Sequence, residues 1–256
     1  MSKLPHHRVI GQGPSVLLVH GTAPDFFDQL ERELSPTSRV IRVDRRGYPG
    51  SGLPVVSALP PHADDLSAIL QREGGAAIVV GWSIGGVIAL ELALRFPHVV
   101  RGLVLLEPPW LAKKHPTFRM LGGILGGKLR GAFGNPAGGG ERFHRWALSR
   151  RDGRCELDDL APADRARVRA AGPAMLAELD GGTGEHLEKL LGPLPMPVTL
   201  LTGDQSTVEF GAAAARLGSR LGVEPEVLPG AGHMMQETHA RAVAAAVRRL
   251  AKARAA

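Results

Sequence analysis

Sulfur, aromatic rings and long apolar runs are all scarce in this chain of 256 residues. A single cysteine, Cys155, excludes an internal disulfide and a cysteine-rich zinc module, and it suits a reducing compartment. Seven Phe, three Trp and one Tyr leave little for base stacking, which argues against nucleic acid as a partner despite a net charge of +6. No uninterrupted apolar run approaches the roughly 18 residues of a membrane span, so no stable membrane insertion is expected. The N-terminal stretch Met1 to Arg8 lacks the apolar core of a secretory signal, and the expected location is the cytoplasm. No paired Cys/His spacing points to a metal, and no cofactor is expected. The sequence sets no oligomeric state.

What the chain does have is enough apolar material for a sizeable core: 44% hydrophobic residues against 22% charged. Short apolar runs alternate with helix-like stretches up to residue 107. Val16–Val19 ends at His20-Gly21, Val40–Val43 at Asp44, Ala76–Val80 at Gly81, and Leu103–Leu106 at Glu107-Pro108-Pro109. A run apolar at every position, as Val16–Val19 is, reads as a strand buried on both faces, and strands alternating with helices imply a mostly parallel sheet. The pattern returns at Val198–Leu201 and Glu226–Leu228, with a helix expected near Gln236 to Lys252. Between them, residues 110–195 contain helix-like pieces (Arg142 to Arg150, Pro162 to Leu179), glycine clusters and no clear strand. The expected organisation is therefore a core of residues 1–109 and 196–256, interrupted by a helical insertion at 110–195.

The sharpest motif is Gly81-Trp82-Ser83-Ile84-Gly85-Gly86. Its context matters more than its letters: a strand ends at Gly81, and a helix from Ile84 to Phe96 begins directly after the serine. In that strand–turn–helix setting the hydroxyl stands exposed above the sheet. Serine is a poor nucleophile without a base, and His233 follows the last strand in Pro229-Gly230-Ala231-Gly232-His233. A carboxylate is needed to orient that imidazole, and two compete: Glu107 and Asp204, each just beyond a strand end. The backbone N–H groups of Thr22 and Ile84 are candidates to hold an oxyanion. His20 is assigned no proton-transfer role, His6-His7 reads as a solvated pair, and Asp44 with Arg46-Gly47 reads as a structural turn.

His20-Gly21, Asp44-Arg45-Arg46-Gly47-Tyr48, the serine motif, Gly203-Asp204 and Gly232-His233, in that order, resemble the α/β-hydrolase fold superfamily from about Val9 to Leu250. The resemblance implies an α/β fold with residues 110–195 as a cap. It also bears on the acid. The family commonly carries it as the last residue of a G-x-x-D stretch, where this chain has Ser206; other members take it from the end of the preceding strand, which here is Glu107. The resemblance thus favours Glu107, with Asp204 as the alternative. The serine nucleophile argues against dehalogenase and epoxide hydrolase chemistry of this fold.

Lys113 to Arg154 carries ten Lys/Arg and two acidic residues, so the positive excess belongs to the insertion. Trp110, Phe118, Phe133, Phe143 and Trp146 lie in or beside it, and Trp82, Trp110, Phe143 and Trp146 are the expected substrate-contacting side chains. Two readings of the segment stand: a solvated helix face whose aromatics pack on the core, or an apolar pocket with a positive rim suited to an anionic acyl substrate. Gly122 to Lys128 matches most of a phosphate-loop pattern, but Leu129 replaces its Ser or Thr and no strand precedes it, so nucleotide binding is dismissed. The expected activity is cofactor-independent hydrolysis of an ester, thioester or lactone. Carbon–carbon hydrolysis, lyase or haloperoxidase-like chemistry, and a non-catalytic ligand-binding role, are the alternatives on the same fold.

Overall fold

The apolar runs lie in the strands of one seven-stranded sheet in a computed structural model that describes residues 3–253. Met1, Ser2 and Arg254 to Ala256 fall outside the described residues, as do the side chains of Lys113 and Ala253. The strands are β1 (His7–Ile10), β2 (Ser15–Val19), β3 (Arg39–Val43), β4 (Ala77–Trp82), β5 (Val100–Leu106), β6 (Val198–Gly203) and β7 (Glu226–Leu228). Their spatial order is β1-β3-β2-β4-β5-β6-β7, with β1 antiparallel to β3 and every other pairing parallel. The helices are α1 (Asp28–Leu34), α2 (Pro60–Arg72), α3 (Ile84–Arg95), α4 (Phe118–Ala132), α5 (Pro136–Ala147), α6 (Pro162–Ala170), α7 (Gly172–Glu178), α8 (Val208–Leu221), α9 (Met235–Thr238) and α10 (Ala240–Ala253).

Side chains alternate across a strand, and the two faces of this sheet are both apolar. Leu17, Val19, Ile41, Val79, Leu103 and Leu105 pack with α2, α3 and α8 on one face. Val16, Leu18, Val40, Val80, Val104 and Leu106 pack with α1 and α10 on the other. Each such fully buried aliphatic side chain contributes about 1.5–3 kcal/mol. The chain leaves β2 toward β3 on one side and returns to β4 on the other. The carboxyl ends of β2 and β4 therefore flank the crevice where the connections diverge, the usual position of a site in an open sheet.

Several expectations are corrected. β1 was not anticipated, because His7-Arg8-Val9-Ile10 is an exposed edge with no buried run. Its histidines are not simply solvated: His6 Nδ1 lies 2.7 Å from Asp44 Oδ2, and His7 Nε2 3.2 Å from Glu73 Oε1. The helix expected over Pro162 to Leu179 breaks at Ala171, where Gly172 presses against the backbone of Pro136 and Ala137. The final helix is interrupted at His239, whose φ of −127° leaves the helical range. The helix expected from Arg142 begins at Pro136 and ends at Ala147, with Asn135 accepting from Gly138 N at its start. Gly122 to Lys128 lies within α4. Between β5 and β6 every described element is helical apart from one isolated bridge, Ser149 to Cys155. No helix among the described residues is long and apolar enough to cross a membrane.

Candidate active site

Ser83 has φ 55° and ψ −129°, a conformation that a β-carbon makes costly, and its N–H donates to Leu106 O at 2.8 Å. The strain holds because the surroundings leave no alternative. A Cβ on Gly85 would overlap the carbonyl oxygens of Val19 and His20, so α3 sits directly against the end of β2. On the other side of the serine, a Cβ on Gly21 would fall 2.8 Å from Ser83 Cβ, so the loop after β2 passes within contact of the hydroxyl-bearing carbon. Ser83, Thr22 and Ile84 line one cavity. Ile84 is the first residue of α3, where helix N–H groups lack intrahelical acceptors and the dipole favours negative charge.

Glu107 follows β5 with φ 45°, also in the left-handed range, and is fully buried. Its carboxylate accepts four hydrogen bonds. Oε1 takes Thr202 Oγ1 at 3.0 Å and Gly203 N at 2.8 Å, while Oε2 takes Ser206 Oγ at 2.9 Å and His233 Nδ1 at 2.6 Å. Ser206 is the residue at the position where an acid was expected from the resemblance; here it braces the acid that arrives from β5. Asp204 does not approach the histidine and instead accepts from Gly230 N at 2.8 Å, fixing the turn before it. Because an ionised carboxylate only accepts, the proton on His233 lies on Nδ1, which leaves Nε2 with its lone pair.

The imidazole of His233 is clamped on several sides. Phe210 of α8 stacks on it with ring centroids 3.7 Å apart and planes at 13°, and Phe210 also lines the cavity. Trp82 Nε1 donates to His233 O at 2.8 Å. The next residue, Met234, donates its N–H to Glu156 Oε2 at 3.0 Å, and Arg150 Nη2 donates to Gly230 O at 3.2 Å. Burial raises the Glu156 carboxyl above its usual range. Glu156 and Arg150 belong to the helical insertion, so that segment helps to fix the histidine loop.

A second buried network reaches the loop after β2. Arg45 donates to His20 O at 2.9 Å and Gly21 O at 2.7 Å, and grips Glu178 of α7 through both nitrogens, at 2.5 and 3.1 Å. Tyr48 donates to the same carboxylate at 2.7 Å, and His62 Nε2 lies 3.3 Å from it. Burial opposes ionisation of Glu178, but Arg45 and His62 outweigh it and hold the carboxyl well below its ordinary range. His20 donates from Nδ1 to Gly21 O and accepts Arg45 N on Nε2, so both ring nitrogens are occupied; burial, with Arg45 nearby, lowers it to about 3. A neutral, fully bonded imidazole braces the loop. His144, fully buried, meets Thr22 Oγ1 at 3.2 Å and Gly140 O at 2.8 Å, and burial lowers it to about 4.

The insertion supplies most of the apolar cavity wall: Met120 and Ile124 of α4, and Phe143 and Trp146 of α5. Phe143 and Trp146 are thus where substrate-contacting side chains were expected. Trp82 and Trp110 are not: both are buried in the sheet core, at 1% and 3% exposure, and neither ring borders the cavity. Among the described residues, the ionisable side chains of the lining are Glu178 and Glu209 rather than the basic ones expected of a positive rim. The insertion's own carboxylates fold back on its basic half: Lys114 pairs with Glu188, Lys128 with Asp180, Arg145 with Asp158 and Arg150 with Glu156. Phe118 and Phe133 do not pack on the core but stand exposed. Sequence reasoning did not find Arg45, Glu156, Glu178, His144 or Phe210, because their roles arise from contacts between distant segments. The one usable signal was the arginine inside Asp44-Arg45-Arg46-Gly47.

The comparisons with known proteins agree with the fold. The chain is 36% identical over 122 residues to pimeloyl-[acyl-carrier protein] methyl ester esterase of Shewanella woodyi, covering 46% of each chain. The enzyme of the same name from Methylococcus capsulatus is 29% identical over 251 residues, covering 90% of this chain and 91% of that one. The chain spans about half the length of the first curated relatives it matches. Among solved structures, a thermophilic esterase from Thermogutta terrifontis superposes with a TM-score of 0.75 at 23% identity, covering 96% of this chain and 92% of that one, a likeness of fold. The family model for alpha/beta hydrolases matches residues 16–246, from the first buried strand into the last helix, and the chain belongs to the alpha/beta hydrolase family.

Proposed function

We propose that the protein is a cofactor-independent serine hydrolase that cleaves carboxylic esters through an acyl-enzyme. The observation that carries this reading is the buried His233–Glu107 pair at 2.6 Å, whose imidazole stacks on Phe210 of the same apolar cavity that Ser83 lines from a strained turn. Ser83 Oγ attacks the ester carbonyl while His233 Nε2 takes its proton. Glu107 holds the Nδ1 proton and stabilises the imidazolium. The Thr22 and Ile84 amides stabilise the tetrahedral oxyanion. The intermediate collapses as His233 passes its proton to the departing alkoxide. Water, activated by the same imidazole, then releases the acid and regenerates the serine.

Residues 110–195 act in this reading as a cap that walls the acyl side of the cavity. The apolar lining favours an uncharged acyl group over an anionic one. The esterase names of the relatives support an ester substrate. The single cysteine supports a cytoplasmic location. The test is turnover of p-nitrophenyl esters together with labelling by a fluorophosphonate. Ser83→Ala is expected to lose about 10⁴-fold or more in kcat and to lose the label. Label retained by Ser83→Ala overturns the assignment, and product analysis on carbon–carbon and ester substrates checks the bond cleaved.

A further inference from the structure

The outer face of α4 has no role in the chemistry, and it is unusually apolar for a surface. Phe118, Leu121, Leu125 and Leu129 are 95%, 46%, 59% and 49% exposed, and Phe133, just past the helix end, is 86% exposed. At about 100° per residue these five side chains fall within an arc of roughly 120°. Met120, Ile124 and Gly127, turned toward the cavity and α5, occupy the opposite side. The helix is therefore apolar on both faces, one covered and one bare. Fifteen residues span about 22 Å, so the bare face is a straight ridge with an aromatic ring at each end.

Charge flanks the ridge. Lys128 lies along one edge, Arg119 and Arg130 along the other, and Arg142 of α5 beyond them. Carboxylates of the insertion pair with many of its basic side chains, Lys128, Arg145 and Arg169 among them, but Arg119, Arg130 and Arg142 form no ion pair with a described carboxylate. An apolar stripe bordered by free cations is the pattern of a helix that lies in the interface of an anionic bilayer. A second copy of the chain fits less well, since pairing two such ridges about a two-fold axis would bring these like charges together.

We propose that α4 docks the protein peripherally on an anionic phospholipid surface, with Phe118, Leu121, Leu125, Leu129 and Phe133 in the acyl–headgroup boundary and Arg119, Arg130 and Arg142 on lipid phosphates. The helix that touches the bilayer is then the one whose inner side walls the apolar cavity. Docking needs no hydrolysis, so it stands or falls separately from the serine mechanism.

The test is co-sedimentation of the full chain with vesicles of phosphatidylcholine alone and of phosphatidylcholine mixed with phosphatidylglycerol. Wild type is expected to partition onto the mixed vesicles and to be released by salt. Arg119→Glu with Arg130→Glu and Arg142→Glu is expected to weaken binding by roughly a hundredfold or more. Phe118→Ser with Leu125→Ser and Phe133→Ser is expected to abolish it on either vesicle. Unchanged far-ultraviolet circular dichroism and p-nitrophenyl acetate turnover show that these exposed substitutions leave the fold intact. Wild type that ignores both vesicles, or a serine variant that binds as well as wild type, overturns the proposal. Light scattering that finds a wild-type dimer lost in the serine variant, without vesicle binding, reassigns the ridge to self-association. Vesicle indifference with binding to an acidic protein reassigns it to a protein partner.

Discussion

The two walls of the cavity are built on different principles. On the sheet side, Ser83 and Glu107 sit in left-handed backbone conformations at the ends of neighbouring strands, and close backbone contacts fix the turn around the serine. On the insertion side, the wall is made of side chains from α4 and α5, and the segment is attached by a few buried polar links: Glu178 to Arg45, Glu156 to Met234 N, and His144 to Thr22. Backbone geometry admits almost no substitution, whereas a wall of side-chain volume can be resized. In the proposed reading the chemistry belongs to the rigid side and the choice of acyl group to the adjustable one.

Substitutions at the two candidate acids should give the widest separation. Glu107→Gln is expected to lower kcat about 10³- to 10⁴-fold, because the amide supports the wrong imidazole tautomer and cannot stabilise the imidazolium. Asp204→Asn is expected to stay within about threefold, since its carboxylate serves a turn. A larger loss from Asp204→Asn would transfer the acid role to it.

The link between the walls comes next. Glu178→Gln leaves Arg45 buried without its counter-charge, and a loss of about 3–5 kcal/mol is expected in urea unfolding. Replacing both, as Arg45→Met with Glu178→Met, should restore much of it. Equal losses from the single and double variants would mean that the pair does not hold the insertion to the core.

Acidification tests the same bracing without mutation. His20 and His144 are held neutral, at about 3 and about 4, while in the unfolded chain they protonate near 6.5. Below pH 6.5 the unfolded state binds the extra protons, so stability falls as pH falls, by roughly 2 kcal/mol for each histidine at pH 5. Urea midpoints at pH 7 and pH 5 check this, and His144→Gln should flatten the dependence by about half.

The smallest effect is expected on the adjustable wall. Trp146→Ala should raise KM for short-chain p-nitrophenyl esters about five- to tenfold and leave kcat within about twofold. A kcat loss as large as that of Glu107→Gln would place Trp146 with the reacting groups and erase the contrast.

The central strands were legible because they are buried on both faces, so the apolar runs at 16–19, 76–80 and 103–106 carry no competing pattern. Ser83 and Glu107 stood out for a related reason, since each follows the end of such a run, whereas His233 follows the short exposed strand β7. The exposed edge strand β1 carried no such signal. Glycine obscured α4, where Gly122, Gly123, Gly126 and Gly127 read only as a glycine cluster; in the fold Gly123 and Gly127 let α5 approach closely. Charge counting misled for a similar reason. The excess of Lys113 to Arg154 was real, but Glu156, Asp158, Asp180 and Glu188 lie later in the chain and meet it only on folding.

The sequence by itself determined the alternation of strands and helices and the strand ends at which reactive groups emerge, because burial of a parallel sheet is written locally in its apolar runs. Only the tertiary structure decided which carboxylate meets His233 and which aromatic rings border the cavity. It also decided that Arg119, Arg130 and Arg142 form no ion pair with a described carboxylate. Those choices depend on distances between segments far apart in the chain, and they follow from how the folded elements pack together.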